Sequence, residues 1–255
     1  MEKLTSRRNN VCIHVKKLGA DRSYREKSGQ YICDGIKLLE EAIKCNVTID
    51  IVITAAGLPF PLPVNTRIYT AERTIIESIS SLKSAQDTLF VCRMPPPQIK
   101  PGCAFVKGIH ILLDSIQDPG NMGAIIRSAN AFGIDSIILT GTFADPYNPK
   151  SLRASMGAIF RQSICCMEAS RLAELKRSDG VMFIGTSADD RGRDITGADL
   201  FDAVIAVGNE GHGLSEEILA LCDEMVTIPV SNGCESLNAA VAASVIMWEA
   251  CGKGR

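Results

Sequence analysis

The polar residues best placed for chemistry fall in three short stretches. The first is DPGNMGAIIR, residues 118–127, where a strand end gives way to a tight turn and a helix. Asp118, Pro119 and Gly120 make the turn, and Asn121 is read as the cap of the helix. Strand-to-helix turns of this kind often hold phosphate or a nucleotide. On the helix, Ile125, Ala129 and Phe132 share one face, and Arg127 lies about 200° round from Ile125, so it points outward. An outward guanidinium is either solvated or set to hold an anion. The second stretch, VGNEGHGLSEEI (207–218), places Gly208, Gly211 and Gly213 within six positions, beside Asn209 and Glu210. Glycine at this density lets a backbone approach a ligand closely, although it also suits a tight strand-to-helix connection. In the third, TIPVSNGCESLNAAVAASVIMWEA (227–250), Ile228 and Pro229 end a strand, and Ser236, Leu237 and Asn238 open a long helix rich in small residues.

These stretches need a frame to position them. After the proline-rich MPPPQIKPGC (94–103), the apolar runs IHILLD, SIILT, AIFRQSICCM, VMFIGTS, AVIAVGN and MVTIP read as strands. Helices are expected between them at 121–132, about 148–155, 170–178, 214–221 and 236–250. Continuous apolar strands alternating with helices predict an α/β fold with a mostly parallel sheet covered on both faces. Ligands bind such sheets in loops at the carboxyl ends of strands, here the loops after Asp114, Ile184, Val207 and Pro229. Before the linker, DGIKLLEEAIKCN (34–46) reads as a helix capped by Asp34, followed by IDIVITA and RIYT as strands, AERTIIESIS as a helix and TLFVCRM as a strand. The expected division is a small α/β domain at 1–95, a linker at 96–104 and a larger domain at 105–255.

Composition narrows the class. The chain has no apolar run long enough to span a bilayer and no secretory pattern at its start, which points to a cytoplasmic protein. Its ten cysteines include no C-x-x-C pair and only three histidines accompany them, so no metal site is expected and the thiols read as reduced core residues. Charge is uneven: residues 1–100 carry 15 basic and 10 acidic side chains, residues 101–255 carry 12 and 19. The excess sits in residues 1–27, eight basic against three acidic, among them Arg22, Arg25 and Lys27. Such a segment is either a solvated arm or the means of reaching a phosphate-rich partner. A dinucleotide-binding dehydrogenase is excluded, because no G-x-G-x-x-G follows any strand.

Taken together and in order, the three stretches resemble the motifs of the SpoU (TrmH-like) family of RNA ribose 2′-O-methyltransferases, within the SPOUT class. The resemblance runs from about residue 105 to 250 and includes KSLRASMGAIF (150–160), which is similar to the family's S-x-R-x-S-x-G segment. One departure is that Val230 and Asn232 stand where the family commonly has methionine and glycine, with the glycine at Gly233. The resemblance implies a trefoil-knotted SPOUT domain that binds S-adenosylmethionine, preceded by a small RNA-binding domain. It assigns the cofactor to Thr186, Gly208, Asn209, Gly211, Gly213, Ile228, Pro229, Leu237 and Asn238. Catalytic roles fall to Arg127, Asn121, Glu210, Ser236 and Asn238, with Arg127 at the target ribose. Arginine is a poor base because it stays protonated to above about pH 12, so a phosphate-binding and orienting role suits it better. The implied assembly is a homodimer through the C-terminal domain. Arg153 and Ser155 are candidates for a shared edge contacting RNA, and Arg22, Arg25 and Lys27 for RNA recruitment. Ribosomal RNA of the large subunit is the expected substrate. The alternatives are transfer RNA, or a non-catalytic RNA-binding or ribosome-assembly protein with a vestigial site.

Overall fold

The computed structural model describes residues 2–82, 84–95, 107–187, 192–231 and 236–252. The linker expected at 96–104 lies outside these residues, as do Asn232 and Gly233 of the last loop. The chain forms two compact units, one drawn from residues 1–96 and 145–161, the other from 97–144 and 162–255.

The first unit runs β1 (Glu2–Leu4), α1 (Asn10–Ala20), α2 (Arg22–Ser28), β2 (Gln30–Asp34), α3 (Ile36–Lys44), β3 (Ile49–Thr54), β4 (Arg67–Ala71), α4 (Arg73–Ile79) and β5 (Thr88–Arg93), and later takes in α6 (Pro149–Ser155). Its sheet has the order β1-β4-β3-β5-β2, with β5 antiparallel to both neighbours and the other pairs parallel. The expected basic arm is not an arm. Residues 2–28 fold into a strand and helices because Asn9 caps α1 and Cys12, Val15 and Leu18 form one apolar face, each fully buried with Leu4. Asp34 does not cap α3 either. It ends β2, and its carboxylate accepts from Ser80 Oγ at 2.7 Å and from the Gln86 N–H at 3.0 Å.

Residues 145–161 join this unit through charge and ring contacts. Asp145 accepts from Arg25 Nε at 2.8 Å and Nη2 at 2.5 Å, and Arg25 Nη1 donates to the Leu18 carbonyl at 2.6 Å. Only 2% of Arg25 is exposed, so this arginine holds the fold together and is not available to RNA in this conformation. Removing one partner of such a buried pair costs about 3–5 kcal/mol, because the other charge is left unpaired. Tyr147 stacks at a tilt on Tyr31, with centroids 4.8 Å apart, and Arg161 pairs with Glu41 at 2.9 Å.

The second unit continues with β6 (Ile109–Asp114), α5 (Pro119–Phe132), β7 (Ser136–Thr140), β8 (Ile164–Cys166), α7 (Ala169–Asp179), β9 (Met182–Ser187), β10 (Arg193–Asp194), β11 (Ala203–Val207), α8 (Glu216–Leu219), β12 (Glu224–Thr227) and α9 (Ala239–Gly252). Its sheet has the order β10-β12-β9-β11-β6-β7-β8 and every pairing is parallel. Every residue of β6, β7 and β11 is buried, as expected for central strands covered on both faces. One expected strand is mostly something else. In AIFRQSICCM, residues 158–160 form a 3-10 turn after Met156 (φ +49°) and Gly157 (φ +87°), and only Ile164–Cys166 pair with β7.

Helices α5 and α9 pack together. Ser128 and Ser244 meet across them at 2.8 Å, and Ala239, Ala240, Ala243, Ile246 and Met247 of α9 are buried. Small side chains along this face permit close approach, while burying Ile246 and Met247 contributes about 1.5–3 kcal/mol each. Among the described residues no helix is long and apolar enough to cross a membrane.

Candidate active site

The site is built where loops leave the carboxyl ends of β6, β9, β11 and β12, as the topology of a parallel sheet dictates. A cleft of about 440 Å³ opens there. One wall is the loop from Val207 to Leu214, the other Ile228, Val230, Ser236 and Leu237, with Leu219, Met225, Val226 and Ile246 supplying apolar lining. Among the residues assigned by resemblance to a cofactor, Thr186, Gly208, Asn209, Gly211, Gly213, Ile228 and Leu237 line it. Pro229 does not: it is exposed between two lining residues. Leu214, Leu219, Met225 and Ile246 line it without having been singled out in the sequence, since a lone apolar residue carries no signal of the cavity it faces.

The glycine loop is held in one shape by its own hydrogen bonds. Asn209 N–H donates to the Gly213 carbonyl at 3.0 Å, Gly213 N–H donates to the Asn209 carbonyl at 2.8 Å, and Asn209 Oδ1 accepts the Gly211 N–H at 2.9 Å. Gly213 has φ +68°, which suits glycine. Gly208 is required for a different reason. A Cβ there would stand 2.2 Å from the Gly213 carbonyl carbon and 2.5 Å from the Leu214 nitrogen. Thr186 Oγ1 donates to the Ala206 carbonyl at 2.8 Å, tying β9 to β11 beside the cleft. Near Met225, burial pushes the Cys222 thiol up to about 11, so at neutral pH it stays protonated and is no nucleophile.

Three of the expected catalytic side chains meet. Glu210 Oε1 accepts from Asn121 Nδ2, from Asn238 Nδ2 at 3.3 Å and from the Ala239 N–H at 3.3 Å, and Asn238 Nδ2 also reaches Asn121 Oδ1 at 3.1 Å. A carboxylate at the start of α9 is favoured by the helix dipole and by the unpaired N–H groups there. Capping differs from expectation at α5. Asp118, not Asn121, caps α5 by accepting the Asn121 N–H at 2.8 Å, which leaves the Asn121 amide for Glu210. Asn238, one of the three residues expected to open α9, caps it by accepting the Ala240 N–H at 3.0 Å. Helix α9 thus begins at Ala239 rather than at 236, and Ser236 lines the cleft.

Arg127 is exposed on α5 and makes no hydrogen bond or ion pair among the described residues. It stands apart from the cleft lining. Asn121 and Asn238 instead border a neighbouring groove between α5 and α9, lined also by Ala124, Val241, Val245 and Trp248. In the first unit, Arg153 is exposed on α6 but Ser155 is fully buried, its hydroxyl donating to the Leu152 carbonyl at 2.8 Å. Ser155 is therefore a structural residue in this conformation, not an RNA contact.

An all-parallel sheet with a glycine loop after one central strand, a D-P-x-N turn after its neighbour and an asparagine-capped last helix defines the SPOUT class of methyltransferase fold. The profile of the SpoU rRNA Methylase family matches residues 108–248, and the chain belongs to that family. It is 27% identical over 252 residues to the Bacillus subtilis 23S rRNA (guanosine(2553)-2′-O)-methyltransferase RlmP, covering 97% of this chain and 98% of the relative. It is 37% identical over 152 residues to the 23S rRNA (uridine(2479)-2′-O)-methyltransferase of Streptomyces viridochromogenes, a match that spans 56% of this chain and 52% of the relative. Among solved structures, the SpoU methyltransferase AviRb of Streptomyces viridochromogenes in complex with AdoMet superposes with a TM-score of 0.85, at 26% identity over 97% of this chain and 98% of that one.

Proposed function

We propose that this protein methylates the 2′-hydroxyl of a ribose in ribosomal RNA of the large subunit, using S-adenosylmethionine. The observation that carries the reading is the adjacency of a glycine-walled cleft to the cluster of Glu210, Asn121 and Asn238. The cleft suits the cofactor. It has the volume of a small-molecule site, apolar lining for a ring system, and backbone bared by Gly208, where no side chain fits. Thr186, Gly208, Gly211, Ile228 and Leu237 would hold the cofactor, which supplies an electrophilic methyl group on a sulfonium. Glu210 fixes Asn121 and Asn238 in one orientation, so their amides present a preset polar edge to an incoming ribose. Arg127 would bind the phosphate beside that ribose and orient its hydroxyl. As a binding partner a guanidinium is well suited, since its fork matches phosphate geometry. Calorimetric titration with S-adenosylmethionine is expected to give one site per chain. Absence of binding, with or without RNA, would return the protein to the class of non-catalytic RNA binders.

The first unit is proposed to recruit the RNA. Arg7, Arg8, Lys16 and Lys27 are exposed and have no ion pair among the described residues, which leaves their charge available to phosphate. Arg22 is exposed but pairs with Glu26 at 2.8 Å, and Lys3 lies 3.9 Å from Glu72. Deleting residues 1–27 would remove Leu4, Cys12, Val15 and Leu18 from the core, so charge reversal is the cleaner probe. Lys16→Glu with Lys27→Glu should lower the salt dependence of RNA affinity by about 0.7–0.9 in log–log slope per lost contact, with unfolding unchanged. An unaltered slope would remove these lysines from the interface.

A homodimer through α9 completes the proposal, together with the knotted path that the family resemblance implies. Val241, Val245 and Trp248 follow the i, i+4, i+7 spacing and stay exposed, Trp248 at 63%. A second copy covering this stripe would explain why an apolar helix face is left open. Sedimentation of the wild type as a dimer and of Trp248→Glu as a monomer is the expected outcome. A monomeric wild type at micromolar concentration would contradict it.

A further inference from the structure

Three loops converge on a residue that lines neither the cleft nor the groove. Asp114, the last residue of β6, is 2% exposed. Its Oδ2 accepts the Ser215 N–H at 2.7 Å, at the point where the glycine loop enters α8, and its Oδ1 accepts the Ser115 hydroxyl at 3.1 Å. Ser115 in turn has φ +59°, an unusual conformation for a side-chain-bearing residue, and its carbonyl accepts Asn209 Nδ2 at 3.0 Å. The loop after β7 closes on the same pair. Ser115 N–H donates to the Thr140 carbonyl at 3.1 Å, and a Cβ on Gly141 would come within 2.3 Å of Ser115 Oγ.

We infer that Asp114, acting with Ser115, is a positioning residue for the methyl-transfer reaction: its carboxylate holds the Ser215 end of the glycine loop while the Ser115 carbonyl holds the Asn209 end, and together they set Glu210 and the cofactor wall. The inference rests on the methyltransferase reading above. A buried carboxylate is costly unless its oxygens accept hydrogen bonds. Among the described residues no cation pairs with Asp114, so the hydrogen bonds from Ser215 and Ser115 are what offset its burial. A carboxylate presents acceptors on both oxygens, and both partners here are donors. Between these two anchors the chain runs Asn209, Glu210, Gly211, His212, Gly213 and Leu214, which includes residues lining the cleft as well as the glutamate that gathers Asn121 and Asn238. Loosening either anchor leaves the pocket present but imprecise, and site geometry tolerates little of that.

The test compares steady-state methylation of ribosomal RNA by wild type, Asp114→Ala, Asp114→Asn and Ser115→Gly. Loss of the clamp in Asp114→Ala should raise the KM for S-adenosylmethionine on the order of tenfold or more, with the KM for RNA within about twofold. Asp114→Asn keeps an acceptor for the Ser215 N–H and should restore most of that loss. Ser115→Gly keeps the carbonyl that holds Asn209 and relieves the positive φ but removes the hydroxyl donated to Asp114, so its KM for the cofactor should increase several-fold through the loosened carboxylate. A merely structural role predicts something else: fewer active molecules, hence lower kcat and binding stoichiometry, with both KM values unchanged. Such a result, or a Ser115→Gly variant with unchanged KM, overturns the inference. Should Asp114→Ala fail to fold, Ser115→Gly and Asp114→Asn decide it. If the wild type itself neither binds S-adenosylmethionine nor methylates RNA, the functional reading fails instead.

Discussion

Arg127→Ala should reduce methyl transfer to RNA by about 10²–10³-fold while leaving affinity for S-adenosylmethionine within about twofold of wild type. The asymmetry follows from where Arg127 stands. It is exposed on α5, outside the cleft lining, and has no hydrogen-bond or ion-pair partner among the described residues. Its removal therefore strands no buried group, and the fold should lose no more than about 0.5 kcal/mol, as for an ordinary surface substitution. A guanidinium that does nothing for the resting protein is available to a substrate phosphate, and the whole penalty should appear when RNA is engaged. Arg127→Lys keeps the charge but not the fork, so only part of the activity should return. The check is initial-rate methylation beside calorimetric cofactor binding for each variant. Equal loss in both measurements would move Arg127 into the cofactor site and sink this assignment.

Gly208→Ala is the second large effect expected, and it has the opposite signature. The added methyl would meet the Gly213 carbonyl carbon at 2.2 Å, its oxygen at 2.4 Å and the Leu214 nitrogen at 2.5 Å. These are backbone atoms, held by the reciprocal Asn209–Gly213 hydrogen bonds, so no side chain can swing away to make room. The loop must open or the strand end must shift. Either movement deforms the wall of the cleft, and overpacking of this kind costs about 1–3 kcal/mol in the fold as well. Cofactor binding should weaken by more than about 100-fold, with RNA affinity nearly unchanged. Gly197→Ala, outside the cleft lining, is the internal control, because no atom lies within 4 Å of the added Cβ and the fold should tolerate it. Wild-type cofactor affinity in Gly208→Ala, measured calorimetrically, would show that the loop is not the cofactor wall.

The parts of this molecule that were readable in the sequence are those set by local rules. Strands β6, β7 and β11 announce themselves as mostly apolar runs without alternation, since a strand covered on both faces has no polar side to show. The face of α5 that buries Ile125 and Ala129 and exposes Arg127 follows from helical period alone. The glycine loop was visible because close backbone approach needs glycine wherever it occurs.

What the sequence concealed is long-range. Asn121 and Glu210 lie 89 residues apart, and nothing local predicts that the asparagine amide serves a distant carboxylate while Asp118 takes over the cap. Arg25 looked like one more member of a basic cluster. Its partner Asp145 is 120 residues away, and burial turns the pair from surface charge into a fastening within the first unit. The helices of residues 10–28 were overshadowed by their own charge, although Cys12, Val15 and Leu18 after Asn9 formed a legible face. Asp114 passed as a strand end because a buried carboxylate and an exposed one are the same letter.

Methyl transfer to one 2′-hydroxyl of ribosomal RNA is tested by locating the label. Purified protein is incubated with methyl-tritiated S-adenosylmethionine and unmodified 23S rRNA, and the RNA is then hydrolysed in alkali. A methylated 2′-oxygen cannot attack the adjacent phosphodiester, so label is expected in a single alkali-resistant dinucleotide that disappears with Arg127→Ala. Label recovered in mononucleotides, or no label on RNA that the protein demonstrably binds, would contradict it.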